Sequence, residues 1–146
     1  MYLKNEMPAH QTPLDPRDAV TLGVKGAADV SRVLALRDKN AATPLHALAG
    51  FAAELGLGAL HVKDEGYRLG LGSFKALGGA YALMRLVQEQ ASEQLGREVA
   101  VEELMSQEMR TVAAGMTFAC ATDGNHGRSV AQGAQLIGAN AVIFVH

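Results

Sequence analysis

The sequence predicts an α/β protein with a parallel, open sheet and helices on both faces. Two observations support this fold class. Segments with the pattern of buried strands alternate with segments that carry apolar residues at helical spacing, an order typical of βαβ units. In addition, each of two glycine-bearing loops follows a strand and precedes a helix. Because ligands of such sheets bind beyond the carboxyl ends of the strands, we expect both loops to face one pocket.

The first part of the chain contains a predicted arm and two predicted helices. Residues 1–22 carry all but one of the prolines and show no clear period, so we expect an irregular arm. Apolar residues at helical spacing predict a helix over Ala27–Arg37. A second helix is expected to begin after Thr43, whose hydroxyl can cap it, and to continue to Leu55 with Pro44 in its first turn.

The remaining elements follow in a regular order. A short strand is predicted over Ala59–Lys63, and Ser73 is expected to cap the helix that follows the first loop. Residues 88–107 are rich in Glu and Gln and predict a solvent-exposed helix end, a turn and a second short helix. The apolar runs Met116–Thr122 and Ala141–Val145 predict buried parallel strands joined by a helix.

The composition excludes several classes of function. The 13 basic and 15 acidic residues give a formal net charge of −2, which offers no electrostatic footprint for nucleic acid or an anionic membrane. No apolar run reaches the roughly 18 residues of a membrane span. Cys120 is the only cysteine, so no intrachain disulfide is possible and a cytoplasmic protein is expected. No second histidine or cysteine accompanies His126 at zinc-ligand spacing, so no metal is expected.

The first loop ends on a lysine in the first turn of a predicted helix. Its sequence, residues 70–75, lacks the third glycine of a dinucleotide fingerprint and the glycine before the lysine of a phosphate-binding P-loop. The partial positive charge at a helix N-terminus and the expected burial of Lys75 both favour a neutral amine. A lysine of this kind forms Schiff bases with carbonyl compounds, including pyridoxal phosphate. From the local sequence alone, a lysine that only extends into solvent remains the alternative.

The second loop combines a carboxylate, an amide and two glycines at the start of a helix. Gly124 and Gly127 allow a ligand to approach the backbone, and the first N–H groups of the helix suit an anion. Asn125 can hydrogen-bond a phenolate oxygen, and Asp123 is a candidate for acid–base chemistry. The alternative is that these are turn and cap residues and that His126 is structural.

Taken together, these segments resemble fold-type II pyridoxal-phosphate enzymes. The resemblance rests on Ser73-Phe74-Lys75, on Gly78-Gly79-Ala80-Tyr81, and on Gly124-Asn125-His126-Gly127 about fifty residues further on. Within that group the chain is most similar to diaminopropionate ammonia-lyases, and the similarity extends over residues 43–146. Asp123 is the most discriminating position, because threonine dehydratases usually carry a small residue there.

The resemblance implies a cofactor, a reaction and a role for each site residue. Lys75 would hold pyridoxal 5′-phosphate as a Schiff base, Asn125 would hydrogen-bond the 3′-oxygen of its ring, and the backbone around Gly124 and His126 would shape the site. The implied reaction is the α,β-elimination of a small amino acid, 2,3-diaminopropionate, to pyruvate and ammonia. Members of the family accept both enantiomers, so Lys75 and Asp123 would act as bases on opposite faces. The implied assembly is a homodimer.

The sequence also departs from the family pattern. Gly72-Ser73 is closer to the dehydratase form of the motif, and Ser129 replaces a usual glycine. We therefore keep two alternatives: a threonine or serine dehydratase-like lyase, and an inactive truncated remnant without cofactor. The expected domain organisation is an N-terminal arm and helix over 1–42, followed over 43–146 by an incomplete catalytic core. The phosphate-binding glycine loop of the family is expected further downstream.

Overall fold

The computed structural model describes residues 3–37 and 41–145, and the chain divides into two compact units, residues 1–31 and 32–146. No helix within these described ranges is long and apolar enough to cross a membrane. The helices are α1 (Pro16–Leu22), α2 (Val24–Ala35), α3 (Ala49–Glu54), α4 (Lys75–Leu95), α5 (Gln107–Ala114) and α6 (Asn125–Ile137). The strands are β1 (Leu45–Ala47), β2 (His61–Lys63), β3 (Thr117–Ala121) and β4 (Asn140–Phe144). Two short 3-10 helices cover Glu65–Gly70 and Val101–Met105.

The predicted irregular arm is wrong for part of its length, because it contains α1. The side chain of Asp15 accepts a hydrogen bond from the backbone N–H of Arg17 at 2.8 Å, and Pro16 is the first helical residue. An acidic cap followed by proline is a helix-start signal, since proline at this position loses no backbone hydrogen bond. The predicted helix over Ala27–Arg37 is confirmed as α2, with slightly earlier bounds.

The helix predicted to begin after Thr43 is preceded by a strand. Leu45–Ala47 form β1, which pairs antiparallel with β2 so that Leu45 lies opposite Lys63, and α3 begins only at Ala49. The Thr43 hydroxyl does not cap a helix but donates a hydrogen bond to Glu65 Oε1 at 2.6 Å. Pairing with a distant strand therefore outweighs the local helix-start signal.

A βαβ unit at the end of the described chain matches the prediction. β3 and β4 pair in parallel, with Thr117 opposite Asn140 and Ala121 opposite Phe144, and α6 connects them. The expected burial of both strands is wrong, however: exposed residues alternate with half-buried ones along β3. The described strands form two separate two-stranded sheets instead of one parallel sheet. The mixed α/β class itself is confirmed.

The main hydrophobic core of the second unit is centred on α4 and α6. The helix predicted after Ser73 is confirmed as α4 and continues to Leu95, where Gly96 ends it in a left-handed conformation (φ +63°). The core is formed by apolar side chains of several helices: Val33, Leu83, Met84, Val87, Val101, Leu104, Ala113, Val130, Ala134 and Ile137. This packing fixes the two helices that begin at the candidate site residues.

Candidate active site

The two helices that carry the candidate residues run in the same direction. A Cβ atom placed on Gly79 of α4 would lie 2.6 Å from Ser129 Oγ of α6. One turn further along α6, a Cβ on Gly133 would lie 2.8 Å from Ala80 Cα and 3.5 Å from Cδ2 of Leu83, which is one turn beyond Gly79 on α4. Both helices thus advance together through their contact. Lys75 lies four residues before Gly79, and Asn125 lies four residues before Ser129, which is about 6 Å of helix in each case. The two helix N-termini therefore lie at the same end of the pair.

Lys75 is the first residue of α4 and is exposed. The buried Ser73 accepts a hydrogen bond at its Oγ from the backbone N–H of Lys75 at 3.2 Å. The N-cap position itself is held by Phe74 without a side-chain cap bond, so the helix begins one residue later than a Ser73 cap predicts. Before it, Gly70 and Gly72 adopt φ values of +72° and +70°, which glycine reaches without strain. The Lys75 side chain has no hydrogen bond or ion pair within the described residues. The burial expected at this amine is not found.

The second loop presents three exposed polar side chains at the start of α6. The backbone N–H of Gly124 donates to Thr122 Oγ1 at 3.3 Å, and Asn125 is the first residue of the helix. The side chains of Asp123, Asn125 and His126 make no hydrogen bond or ion pair to any described part of the chain, which leaves these groups available to a ligand.

Gly127 holds this loop close to the strands. A Cβ at this position would lie 2.6 Å from Thr122 Cγ2 and 2.8 Å from Ile143 Cγ2. Real side chains do not tolerate such separations, so the loop can approach the strand ends this closely only with glycine. The close approach places the start of α6 directly over the carboxyl ends of β3 and β4.

The two loops line different cavities. Asp123 lines a cavity of about 390 Å³ at the carboxyl ends of β3 and β4, together with Thr122 and Phe144. Gly70 of the first loop, together with the preceding Leu69, lines a larger cavity of about 660 Å³. Neither of these two cavities is lined by residues of both loops. The position of Asp123 beyond the strand ends is nonetheless the place where ligands bind in sheets of this kind.

A polar network fixes the segment that precedes the first loop. Arg68 donates through Nε to Glu65 Oε2 at 2.7 Å and through Nη2 to Glu65 Oε1 at 2.8 Å, while Thr43 donates to the same carboxylate. The Arg68 guanidinium, followed by the Thr43 hydroxyl, lowers the pKa of Glu65 to about 2. Thr43 is thereby joined to Glu65 and Arg68, which directly precede the loop that leads to the candidate lysine.

Sequence reasoning missed two polar residues near the lysine. The guanidinium of Arg37 is buried and donates to the backbone carbonyl of Ala76 and to Gln132 Oε1. Arg37 lies two residues beyond the end of α2, in a bend, and the sequence carries no signal that its side chain is buried. Gln132 carries no signal in the sequence either.

Comparison with known proteins identifies the family. The family model described as "Pyridoxal-phosphate dependent enzyme" matches residues 36–146. The chain belongs to this family of pyridoxal-phosphate dependent enzymes. The chain is 40% identical over 105 residues to the diaminopropionate ammonia-lyase of Salmonella typhimurium, a match that covers 72% of this chain and 26% of that relative. It thus spans about a quarter of the length of the curated relatives that it matches.

Solved structures of the family show the same fold. The Escherichia coli diaminopropionate ammonia-lyase in complex with D-serine matches with a TM-score of 0.66 at 39% identity, over 82% of this chain and 30% of that one. The same enzyme in complex with an aminoacrylate-PLP azomethine reaction intermediate matches with a TM-score of 0.66 at 38% identity, over 84% and 28% of the two chains. The similarity to fold-type II enzymes that the sequence indicated is confirmed.

The described residues fit the cofactor of the family. A covalently held pyridoxal phosphate needs a primary amine without an internal partner, and Lys75 meets that condition among the described residues. It also needs donors for its anionic oxygens. The Asn125 amide and the first N–H groups of α6 are such donors, at the same end of the helix pair as Lys75.

Proposed function

We propose that this chain contributes the cofactor lysine and a catalytic carboxylate to a diaminopropionate ammonia-lyase, which converts 2,3-diaminopropionate to pyruvate and ammonia. The observation that carries the proposal is the parallel packing of α4 and α6, which brings the Lys75 and Asn125 ends of these helices together. The relatives named as this enzyme support the choice of substrate.

The chain's own residues have distinct tasks in this reaction. Lys75 would hold the cofactor through Nζ, and its amine is the group that would move a proton at the substrate Cα on one face. Asp123 moves the Cα proton from the opposite face through its carboxylate, so that the other enantiomer can also react. Asn125 donates to an oxygen of the cofactor ring through its side-chain amide, and Gly124 and His126 shape the backbone around it.

Pyridoxal phosphate, when bound, supplies a carbonyl for the substrate amine and an electron sink for the electrons released at Cα. The protein must then prevent the carboxylate and the lysine from neutralising each other. No ion pair joins Asp123 to Lys75 in the described structure, and each side chain is exposed. Among the described residues, the carboxylate and the amine therefore do not neutralise each other.

The cofactor assignment is tested by absorbance of the intact protein. We expect a visible band from the lysine–cofactor bond that disappears in Lys75→Ala and persists in Lys25→Ala, a matched exposed lysine outside the site. A band that survives in Lys75→Ala would refute the assignment of this lysine. A wild-type protein without any band would favour the inactive remnant.

The substrate assignment is tested by pyruvate release from D- and L-diaminopropionate and formation of the keto acid from L-threonine. We expect Asp123→Asn to slow turnover of the D enantiomer by about a hundredfold or more and to leave the L enantiomer less affected, since general acid–base groups contribute on this scale. Asp18→Asn, an exposed carboxylate outside the site, serves as control. Faster reaction with L-threonine than with either diaminopropionate enantiomer would favour a dehydratase.

The same proposal includes the assembly and the compartment. Resemblance to the family supports a homodimer, and the single cysteine, Cys120, supports a cytoplasmic location. Sedimentation of the intact protein measures the oligomeric state, and a monomer at working concentration would contradict the homodimer.

A further inference from the structure

Two polar side chains that have no part in the proposed reaction join three segments around the first loop. Arg37 is 4% exposed, and its guanidinium donates to the carbonyl of Ala76, which follows Lys75 in the first turn of α4. The same guanidinium donates to Gln132 Oε1 on α6. Gln132 Nε2 in turn donates to the carbonyl of Leu69 at 3.2 Å. We refer to these hydrogen bonds as the Arg37–Gln132 bridge.

The chemistry of the bridge suits the positioning of the backbone around Lys75 better than the stabilisation of the fold. Burial lowers the pKa of Arg37, because the charged guanidinium loses water, and its two acceptors are neutral oxygens. Apolar residues of similar volume often stabilise a buried position as well as a buried charge does. The planar fork of arginine, however, reaches two acceptors at once in a fixed arrangement.

The backbone held by the bridge is strained. Leu69 adopts φ +49°, a left-handed conformation that is unfavourable for a residue with a Cβ atom. Such conformations persist where the surrounding structure imposes them, and they concentrate at functional sites. The carbonyl bonded by Gln132 belongs to this residue, in the loop that leads directly into Lys75.

We propose that the Arg37–Gln132 bridge is a positioning device that fixes the first turn of α4, and with it Lys75, relative to α6 and Leu69. The proposal rests on the proposed role of Lys75. It explains why position 132 carries an amide. A carboxylate could accept from Arg37 but could not donate to the Leu69 carbonyl, and an apolar side chain could do neither.

The test compares Gln132→Glu with Gln135→Glu in the intact protein. Gln135 lies on the same helix, lines the same cavity, is exposed and makes no side-chain hydrogen bond among the described residues, so it adds the same charge without touching the bridge. The first readout is amide hydrogen exchange over residues 69–77 in the cofactor-free protein. We expect exchange up to about tenfold faster in Gln132→Glu, the effect of losing one neutral hydrogen bond to the Leu69 carbonyl.

The second readout separates positioning from general stability. Circular dichroism in the lysine–cofactor band reports how the cofactor is held, and we expect its amplitude per bound cofactor to fall in Gln132→Glu and not in Gln135→Glu. Arg37→Lys, which keeps the charge but offers no fork, is a second variant with the same expected signature.

The outcomes distinguish the two proposals. Equal exchange over residues 69–77 in the two glutamate variants would overturn the positioning role. Uniformly faster exchange with a lowered Tm, or loss of folding in both Gln132→Glu and Arg37→Lys, would show that the bridge serves only stability and would overturn it as well. A visible band that survives in Lys75→Ala would instead refute the proposed function, while the exchange result over residues 69–77 would stand.

Discussion

The contact between α4 and α6 leaves no space for a side chain at Gly133, and Gly133→Ala tests this directly. A Cβ at Gly133 would lie 2.8 Å from Ala80 Cα and 2.9 Å from Ala80 Cβ. Carbon atoms in ordinary contact are about 3.5–4.0 Å apart. The obstacle is helix backbone and not the end of a flexible side chain, so the helices must separate to admit the methyl group.

Two opposing effects determine how much Gly133→Ala changes the free energy of unfolding. Alanine is a better helix former than glycine by about 1 kcal/mol in a helix interior. Overpacking a tight contact costs about 1–3 kcal/mol. Because the nearest atom to the added methyl group is backbone, the overpacking cost lies in the upper part of that range, about 2–3 kcal/mol, and the expected net loss in the free energy of unfolding is about 1–2 kcal/mol. Gly78→Ala is the matched control, because a Cβ at Gly78 of α4 meets no atom within 4 Å and only the helix-propensity gain remains.

The assay is urea or thermal unfolding of the intact protein, followed by circular dichroism. The expected order of midpoints is Gly78→Ala above wild type and wild type above Gly133→Ala. A midpoint for Gly133→Ala at or above that of wild type, with Gly78→Ala behaving as expected, would refute the close approach of the two helices. It would also remove the reason for placing Lys75 and Asn125 at the same end of the helix pair.

Three further predictions follow from individual contacts. Ser129 is fully buried and its Oγ has no hydrogen-bond partner among the described residues, so Ser129→Ala should raise the unfolding free energy by about 1 kcal/mol, and a loss measured by urea unfolding would contradict this. Gly127→Ala should destabilise by about 1–3 kcal/mol, whereas Gly124→Ala, with no atom within 4 Å, should change the midpoint little; equal effects would argue against the tight packing at the loop. The pKa of Glu65 is about 2 in the folded protein, below its ordinary value of 4.5. The contribution of its carboxylate to the free energy of unfolding is therefore complete above about pH 4.5 and is lost as pH falls toward 2. The Tm of wild type should therefore approach the Tm of Glu65→Gln as pH falls from 4.5 to 2. A Tm difference that stays constant over this interval would show that the pairing of Glu65 with Arg68 does not stabilise the fold.

Much of the local structure could be predicted because it depends on neighbours in the sequence. The period of apolar residues located α2, α4 and α6, and the glycine-bearing loops marked where the last two helices begin. The parallel pairing of β3 and β4 followed from their order around α6. The same reasoning does not predict the helix that begins at Pro16, although the Asp15 cap is a local start signal. It also does not predict the strand at Leu45, which forms only because His61–Lys63 lies beside it.

The sequence by itself determined which chemical groups this protein places at its helix starts: the amine of Lys75, the carboxylate of Asp123 and the amide of Asn125. These choices are visible because motif spacing is a property of the chain alone. Only the tertiary structure decided that the two helices run side by side, and that Arg37 and Gln132 hold the lysine's turn. Those features join residues up to 95 positions apart, and such pairings depend on packing between elements rather than on any local pattern.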